Sequence, residues 1–262
     1  MPSHRRPTRA ALRPSLPEGP FTGSGAAESG WSRSALRHAV AATDLARLQR
    51  GVFAVRAPHD AKEHPRAAAA RQNLLVAQAA TLGCPRAAMS HFPAALAWGM
   101  PVFGDLHRAC VTVQSGTPLR SLANVHLHRA TLASDDLSSL AGWPVLHPAR
   151  TVMDVAREHG VHAGVVAADF ALHEQLVNLR GLETAFEQCR QWPGRKAARA
   201  TMLTADGVAE SPLESLSRLQ MVASGLPRPR LQAEICASTA DSSLASTSIG
   251  KTSASLGSRT EI

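Results

Sequence analysis

Apolar positions along this chain follow two periodicities, and the switches between them mark its elements. In Trp31-Ser32 followed by RSALRHAVAA, Ala35, Leu36, Ala39 and Val40 share one helical face. Ser32 is placed to cap that helix, and Trp31 is spaced to staple onto Leu36. Arg33, Arg37 and His38 fall on the other face. A short helix is predicted before it, near Thr22 to Ser29. After Asp44, LARLQRGVFAV places two β-type runs around Arg50-Gly51, a tight turn or bulge. Helix, capped helix, basic hairpin is the element order of a winged helix-turn-helix. In that fold the second helix enters the major groove, with Arg47 and Arg50 near the phosphates. The same arginines also fit an ordinary solvated helix face and hairpin.

Downstream, Pro65 opens a helix through RAAAARQNLLVAQAATL that stops at Gly83 and Pro85, and a short helix starts near Ser90 in SHFPAALAWGMP. Alternation in RACVTVQS and NVHLHRA predicts strands with Val111, Val113, Val125 and Leu127 facing one way. That places His126 and His128 together on the opposite face, expected to be solvated. Ala149, Val152, Met153 and Ala156 form a helical stripe ending at Gly160, and Val165, Ala168, Leu172 and Leu176 form the next. Leu179, Leu182, Phe186 and Cys189 form a third. At Ser211-Pro212-Leu213-Glu214 a capping box with proline at its first helical position opens a last helix, striped by Leu216, Leu219 and Ala223.

The expected class is α+β. Its parts are a basic disordered arm at 1–19, a winged helix-turn-helix at 20–60 and a mixed, mainly helical middle domain at 61–206. A separate element follows at 207–235, then a tail at 236–262. That tail holds eight serines, four threonines and four alanines without a valine or an aromatic, a composition that cannot bury a core.

Charge sharpens the picture at one end. Of a net +8, most is concentrated early: residues 1–58 hold nine arginines against Glu18, Glu28 and Asp44. A polyanionic partner, DNA, is the expectation there. No window reaches about eighteen uncharged apolar residues, and arginine alternates with proline at the start, so a cytoplasmic protein without a membrane partner is expected. Cys84, Cys110, Cys189 and Cys236 form no CxxC pair, and the twelve histidines include no HExxH. His126 with His128, or His159 with His162, would need remote partners to hold an ion. No metal and no cofactor are expected, and His91 reads as a capping or packing residue.

Four motifs carry a family likeness: SHFPAALAWGMP, HPARTVMDVAR, VVAADFAL and AESPLESLSRLQMVASGLPRP. In these, in order, the chain resembles a large actinobacterial family with an AbiEi-type antitoxin N-terminal domain. Many members of that family end in a small domain related to the very-short-patch-repair endonucleases. The resemblance runs from about Pro20 to Ile235 and implies a DNA-binding winged helix, an antitoxin-like regulatory role and a cognate toxin as partner. It also implies a restriction-endonuclease-like core in which carboxylates from a helix, a Val-Asp-Phe strand and a Glu-x-Asp-Gly strand hold magnesium.

Only the first helix of that core is present in this sequence. Glu210 and Glu214 stand where the family's helical carboxylate is found, and neither strand motif follows. Glu214 then reads as a cap for its own helix, Leu213, Leu216 and Leu219 have no sheet to cover, and neither magnesium binding nor DNA cleavage is expected. The tail composition fits GC-rich codons read out of frame, as do three lysines against twenty-five arginines. Joining the third base of each codon to the first two of the next permits both Val-Asp-Phe and Glu-x-Asp-Gly between Ser243 and Glu261. A frameshift that truncates a nuclease-like domain is the expectation. Three readings follow: a DNA-binding antitoxin-like regulator without catalysis, an endonuclease-family protein whose active core is lost, and a remnant without a DNA function.

Overall fold

The computed structural model describes residues 16–229, apart from 18, 58, 59, 61, 85, 118–121 and 123. All of them belong to one compact unit, Met1–Leu231. Most of the expected arm, the end of the 207–235 element and the 236–262 tail lie outside the described residues. The fold is mixed α and β, with eight helices and two sheets among the described residues.

The first sheet is local. Strand β1 (Phe21–Thr22) leads into α1 (Gly23–Glu28) and α2 (Arg33–Ala41), and β2 (Leu45–Gln49) and β3 (Val52–Val55) close an antiparallel sheet in the order β1-β3-β2. Thr22 Oγ1 accepts the Gly25 N–H at 3.0 Å, and Ser32 Oγ accepts the Ala35 N–H at 3.1 Å, so both helices start where a side-chain oxygen satisfies an orphan donor. Trp31 and Leu36 are buried in one cluster with Phe21, Ala26, Ala39 and Leu45, as the staple predicts. The hairpin turns at Arg50-Gly51, where Gly51 has φ 79°, and the register slips by one residue between Arg47 and Gln49. Turn and bulge are both present.

Helix α3 (Pro65–Leu82) packs against β1, β2 and β3 and also covers the second sheet, which runs β6-β5-β4-β8-β7. Its strands are β4 (Ala87–Met89), β5 (Ala109–Gln114), β6 (Val125–Ala130), β7 (Leu137–Leu140) and β8 (Trp143–Leu146). Strands β5 and β6 pair in parallel, with Val111 beside Leu127 and Thr112 beside His128. Alternation therefore gives the sheet two faces. Met89, Val111 and Val125 pack with Ala77 and Ala80 of α3. Ala94 of α4 (His91–Ala97) joins the α3 side, while the other face is met by His91 at the start of α4 and by Glu158 of α5 (Pro148–His173).

The largest core joins α4 and α5 to α6 (Leu179–Cys189) and α7 (Arg195–Thr204), around Phe92, Val152, Met153, Leu182 and Ala198. Each large side chain fully buried there contributes about 1.5–3 kcal/mol. The stop expected at Gly160 is a kink: its φ of 87° and ψ of 178° interrupt α5, and the helix resumes beyond it. Helix α8 (Pro212–Ala223) docks on α5 through polar atoms. Arg218 and Ser215, both buried, bond Asp169 Oδ2 at 2.6 Å each. Leu213 of the expected apolar stripe stays 73% exposed, while Leu216 and Leu219 are half-buried. Among the described residues no helix is long and apolar enough to cross a membrane.

Candidate functional site

Two polar regions hold chemistry-bearing side chains. In the first sheet, burial of Leu36 and Ala39 leaves Arg33, Arg37 and His38 exposed. Arg33 and Arg37, one helical turn apart, line a shallow groove of about 380 Å³ together with Leu36, Val40, Arg47, Gly51 and Phe53. Three guanidinium groups thus share a groove with no carboxylate in its lining. Arg47 Nε donates to the Gln49 carbonyl at 3.4 Å, along the bulge. Arg50 and His38 are exposed but stand outside the groove.

Glu210 and Glu214 serve their own helix. Glu214 N–H donates to Ser211 Oγ at 3.3 Å, and Glu214 Oε2 accepts the Glu210 N–H at 2.7 Å. The reciprocal bond thus lands one residue before the N-cap, at Glu210 rather than Ser211, a variation on the expected capping box.

The second region is the sheet face opposite α3. Parallel pairing sets Cys110 beside His126 and Thr112 beside His128, so alternation carries all four side chains to this face. The expectation that His126 and His128 share a solvated face holds in part: the His126 side chain is 45% exposed, whereas His128 is half-buried and stacked on His91. His91, at the start of α4, stacks on His128 with ring centroids 3.9 Å apart, and the His126 ring lies 4.2 Å from that of His128, tilted by 39°. His91 is buried with φ 53°, a left-handed conformation that non-glycine residues keep where their surroundings fix it. Its Nδ1 lies 3.0 Å from Ser90 Oγ. From α5, Glu158 Oε1 reaches within 3.4 Å of His126 Nδ1, and the His159 ring stacks flat on Phe92 at 3.8 Å.

Burial governs ionisation at this face. It holds His128 down at about 4, helped by the neighbouring His126, and holds His91 well below the ordinary imidazole range. His159 is lowered for the same reason, and burial pushes the Cys110 thiol up to about 12. At neutral pH His91, His128 and His159 are therefore neutral imidazoles and Cys110 a protonated thiol. His128 Nε2, His159 Nε2 and Thr112 Oγ1 are buried without a hydrogen-bond partner among the described residues. Two triads have ligand atoms all within 4.8 Å of one another: His91, Cys110 and His128, and His126, His128 and Glu158.

A cavity of about 500 Å³ opens beside His91, Thr112 and His128, and its far wall is charged. Arg150 Nε bonds Asp154 Oδ2 at 2.9 Å, Arg157 bonds Asp154 Oδ1 at 2.7 Å, and Asp136 lies 3.4 Å from Arg150. Both guanidiniums also lie over the Trp192 ring, at 4.3 and 4.8 Å. Burial raises the Asp154 carboxyl, against the pull of the two arginines. Sequence reasoning paired His126 with His128 and missed Cys110, Thr112, Glu158 and the Arg150-Asp154-Arg157 wall. The available signal was parity: Cys110 and Thr112 share with His126 and His128 the alternation that buries Val111 and Val125.

No family model matches the chain. It is 33% identical over 117 residues to two uncharacterized proteins of Mycobacterium tuberculosis, MT2308 of strain CDC 1551 and Rv2248 of strain H37Rv. Each match takes in 45% of this chain and 42% of the relative, so the chain spans well under half the length of the curated relatives it matches. Among solved structures, the RV2827C protein of Mycobacterium tuberculosis is similar at 16% identity and a TM-score of 0.42, over 76% of this chain and 75% of that one.

Proposed function

We propose that this chain is a DNA-binding protein, an antitoxin-like transcriptional regulator of the AbiEi type, with the α1-α2-hairpin unit working as a winged helix and no catalysis of its own. The observation that carries the reading is the groove in which Arg33 and Arg37 of α2 converge with Arg47 of the hairpin and no carboxylate intervenes. A helix that buries Leu36 and Ala39 in the core and whose outer side is cationic is suited to the major groove, with hairpin arginines on flanking phosphates. A cognate toxin enters only through the resemblance to that family. The bond from the Glu210 N–H to the Glu214 carboxylate supports a capping role for Glu214 over a metal-ligand role.

Fluorescence anisotropy with a random duplex, read at low and moderate salt, tests the proposal. Replacing Arg33 and Arg37 together by alanine weakens binding by roughly 1–3 kcal/mol if they reach base edges, and Arg47→Ala lowers the slope of log affinity against log salt by about 1. Unchanged binding in the doubly substituted protein moves the site off α2. Absence of binding by the wild-type chain at low salt ends the reading.

A further inference from the structure

We infer that His126, His128 and Glu158 form a site for a divalent first-row transition-metal ion, where strand β6 meets helix α5. The inference is independent of the DNA-binding reading, since none of the three residues belongs to the α1-α2-hairpin unit.

The geometry carries it in three steps. First, His126 and His128 stand two residues apart on one face of a strand, and Glu158 approaches from the last turn of α5 before the Gly160 kink. His126 Nδ1 and Glu158 Oε1 are 3.4 Å apart, close to the roughly 3.4 Å between neighbouring ligand atoms when metal bonds of about 2.0–2.2 Å meet at a tetrahedral angle. Second, His128 Nε2 is buried without a hydrogen-bond partner among the described residues, a cost that a coordinate bond removes. Its ring is held by stacking on His91, whose own Nδ1 is engaged by Ser90 Oγ. That is how an outer residue orients a ligand. Third, the two overlapping triads are distinguishable. The His91 and His128 rings are stacked within 22° of parallel, so their in-plane lone pairs do not converge on one ion. The His126 and His128 rings are tilted by 39°, farther from parallel, and His126 has Glu158 beside it as a third donor.

The donor set defines the occupant. Two imidazoles and one carboxylate suit zinc, cobalt or ferrous ions, whereas calcium and magnesium prefer all-oxygen shells. The His126 and Glu158 side chains are 45% and 36% exposed, so an ion can enter from solvent and keep a further position for water.

Cobalt(II) added to the tag-free, chelator-stripped full chain tests the site through its visible d–d absorption, with zinc competition and thermal midpoint as second readouts. The expected result is one ion per chain, displaced by zinc, with a midpoint that rises on binding. His126→Ala and Glu158→Gln, both partly exposed positions, keep the metal-free midpoint. They lower affinity by more than the roughly 10–100-fold that loss of an outer-shell partner costs. Cys110→Ser leaves binding and spectrum unchanged. A thiolate-to-cobalt charge-transfer band that vanishes in Cys110→Ser overturns the assignment in favour of the other triad. Retained affinity in both His126→Ala and Glu158→Gln, or no binding by the wild-type chain, overturns it outright.

Discussion

Replacing Asp169 by asparagine severs the attachment of α8 with little change of shape. In the native chain the Asp169 side chain is 1% exposed and Arg218 2%, and their charges meet at 2.6 Å. The same carboxylate accepts Ser215 Oγ–H at 2.6 Å and the Asp206 N–H at 2.6 Å, so one group fixes both the helix and the loop before it. An amide cannot neutralise the guanidinium, and its NH₂ replaces an acceptor where donors converge. Removing one partner of a buried ion pair costs about 3–5 kcal/mol, because the survivor stays desolvated without its counter-charge. The asparagine keeps some of the hydrogen bonding, which places the loss near 3 kcal/mol. At about 2–4 °C per kcal/mol for a protein of this size, the midpoint falls by roughly 6–12 °C. Calorimetry measures it directly, and urea unfolding with an unchanged m-value shows that stability moved rather than compactness. Asp169→Leu with Arg218→Met removes both charges and is expected to be milder than Asp169→Asn alone. A loss below about 1 kcal/mol in Asp169→Asn, or a double variant as damaged as the single, refutes the claim that this pair holds α8.

Two further outcomes follow from the sheet face and its kink. Gly160→Ala is expected to cost about 1–3 kcal/mol in calorimetry, since the φ of 87° and ψ of 178° are essentially reserved to glycine and open space around the position removes any steric alternative; wild-type stability would show that α5 tolerates a different path there. Stability is also expected to fall as pH drops from about 6.5 to about 4, read as thermal midpoint against pH. His128 titrates near 4 when folded and near its ordinary 6.5 when unfolded, so between those values the unfolded chain binds the extra proton. His91 adds to the same trend, His126, Glu158 and Arg157 are the charged or titratable neighbours, and a His128→Gln profile as steep as the wild type would place the effect elsewhere.

Local chemistry alone determined several elements. Ser32 and Ser211 cap their helices because a hydroxyl three residues before an orphan N–H needs no tertiary partner, and Arg50-Gly51 turns the hairpin because glycine alone adopts the required φ freely. Gly160 broke its helix for the same conformational reason. Strand β4 was not legible: Ala87, Ala88 and Met89 are all buried, so a central strand covered on both faces shows no alternation. Strands β7 and β8 owe their form to each other, with Leu137 pairing Leu146 and Leu140 pairing Trp143. The cationic face of α2 could be read from residues one turn apart, but its convergence with Arg47 depended on how the hairpin folds back. Of the histidine face, alternation gave only that His126 and His128 share one side of a strand. His91 meets His128, and Glu158 meets His126, only because parallel pairing fixes the rungs of β5 and β6 and the two residues arrive there from α4 and α5. The apolar stripe of α8 had no sheet to cover, and its seat is decided by Arg218 meeting Asp169, which no local pattern announces. A sequence displays the period of its apolar positions, whereas a charge or imidazole enters the interior only where a distant partner meets it, and that meeting is a property of tertiary packing.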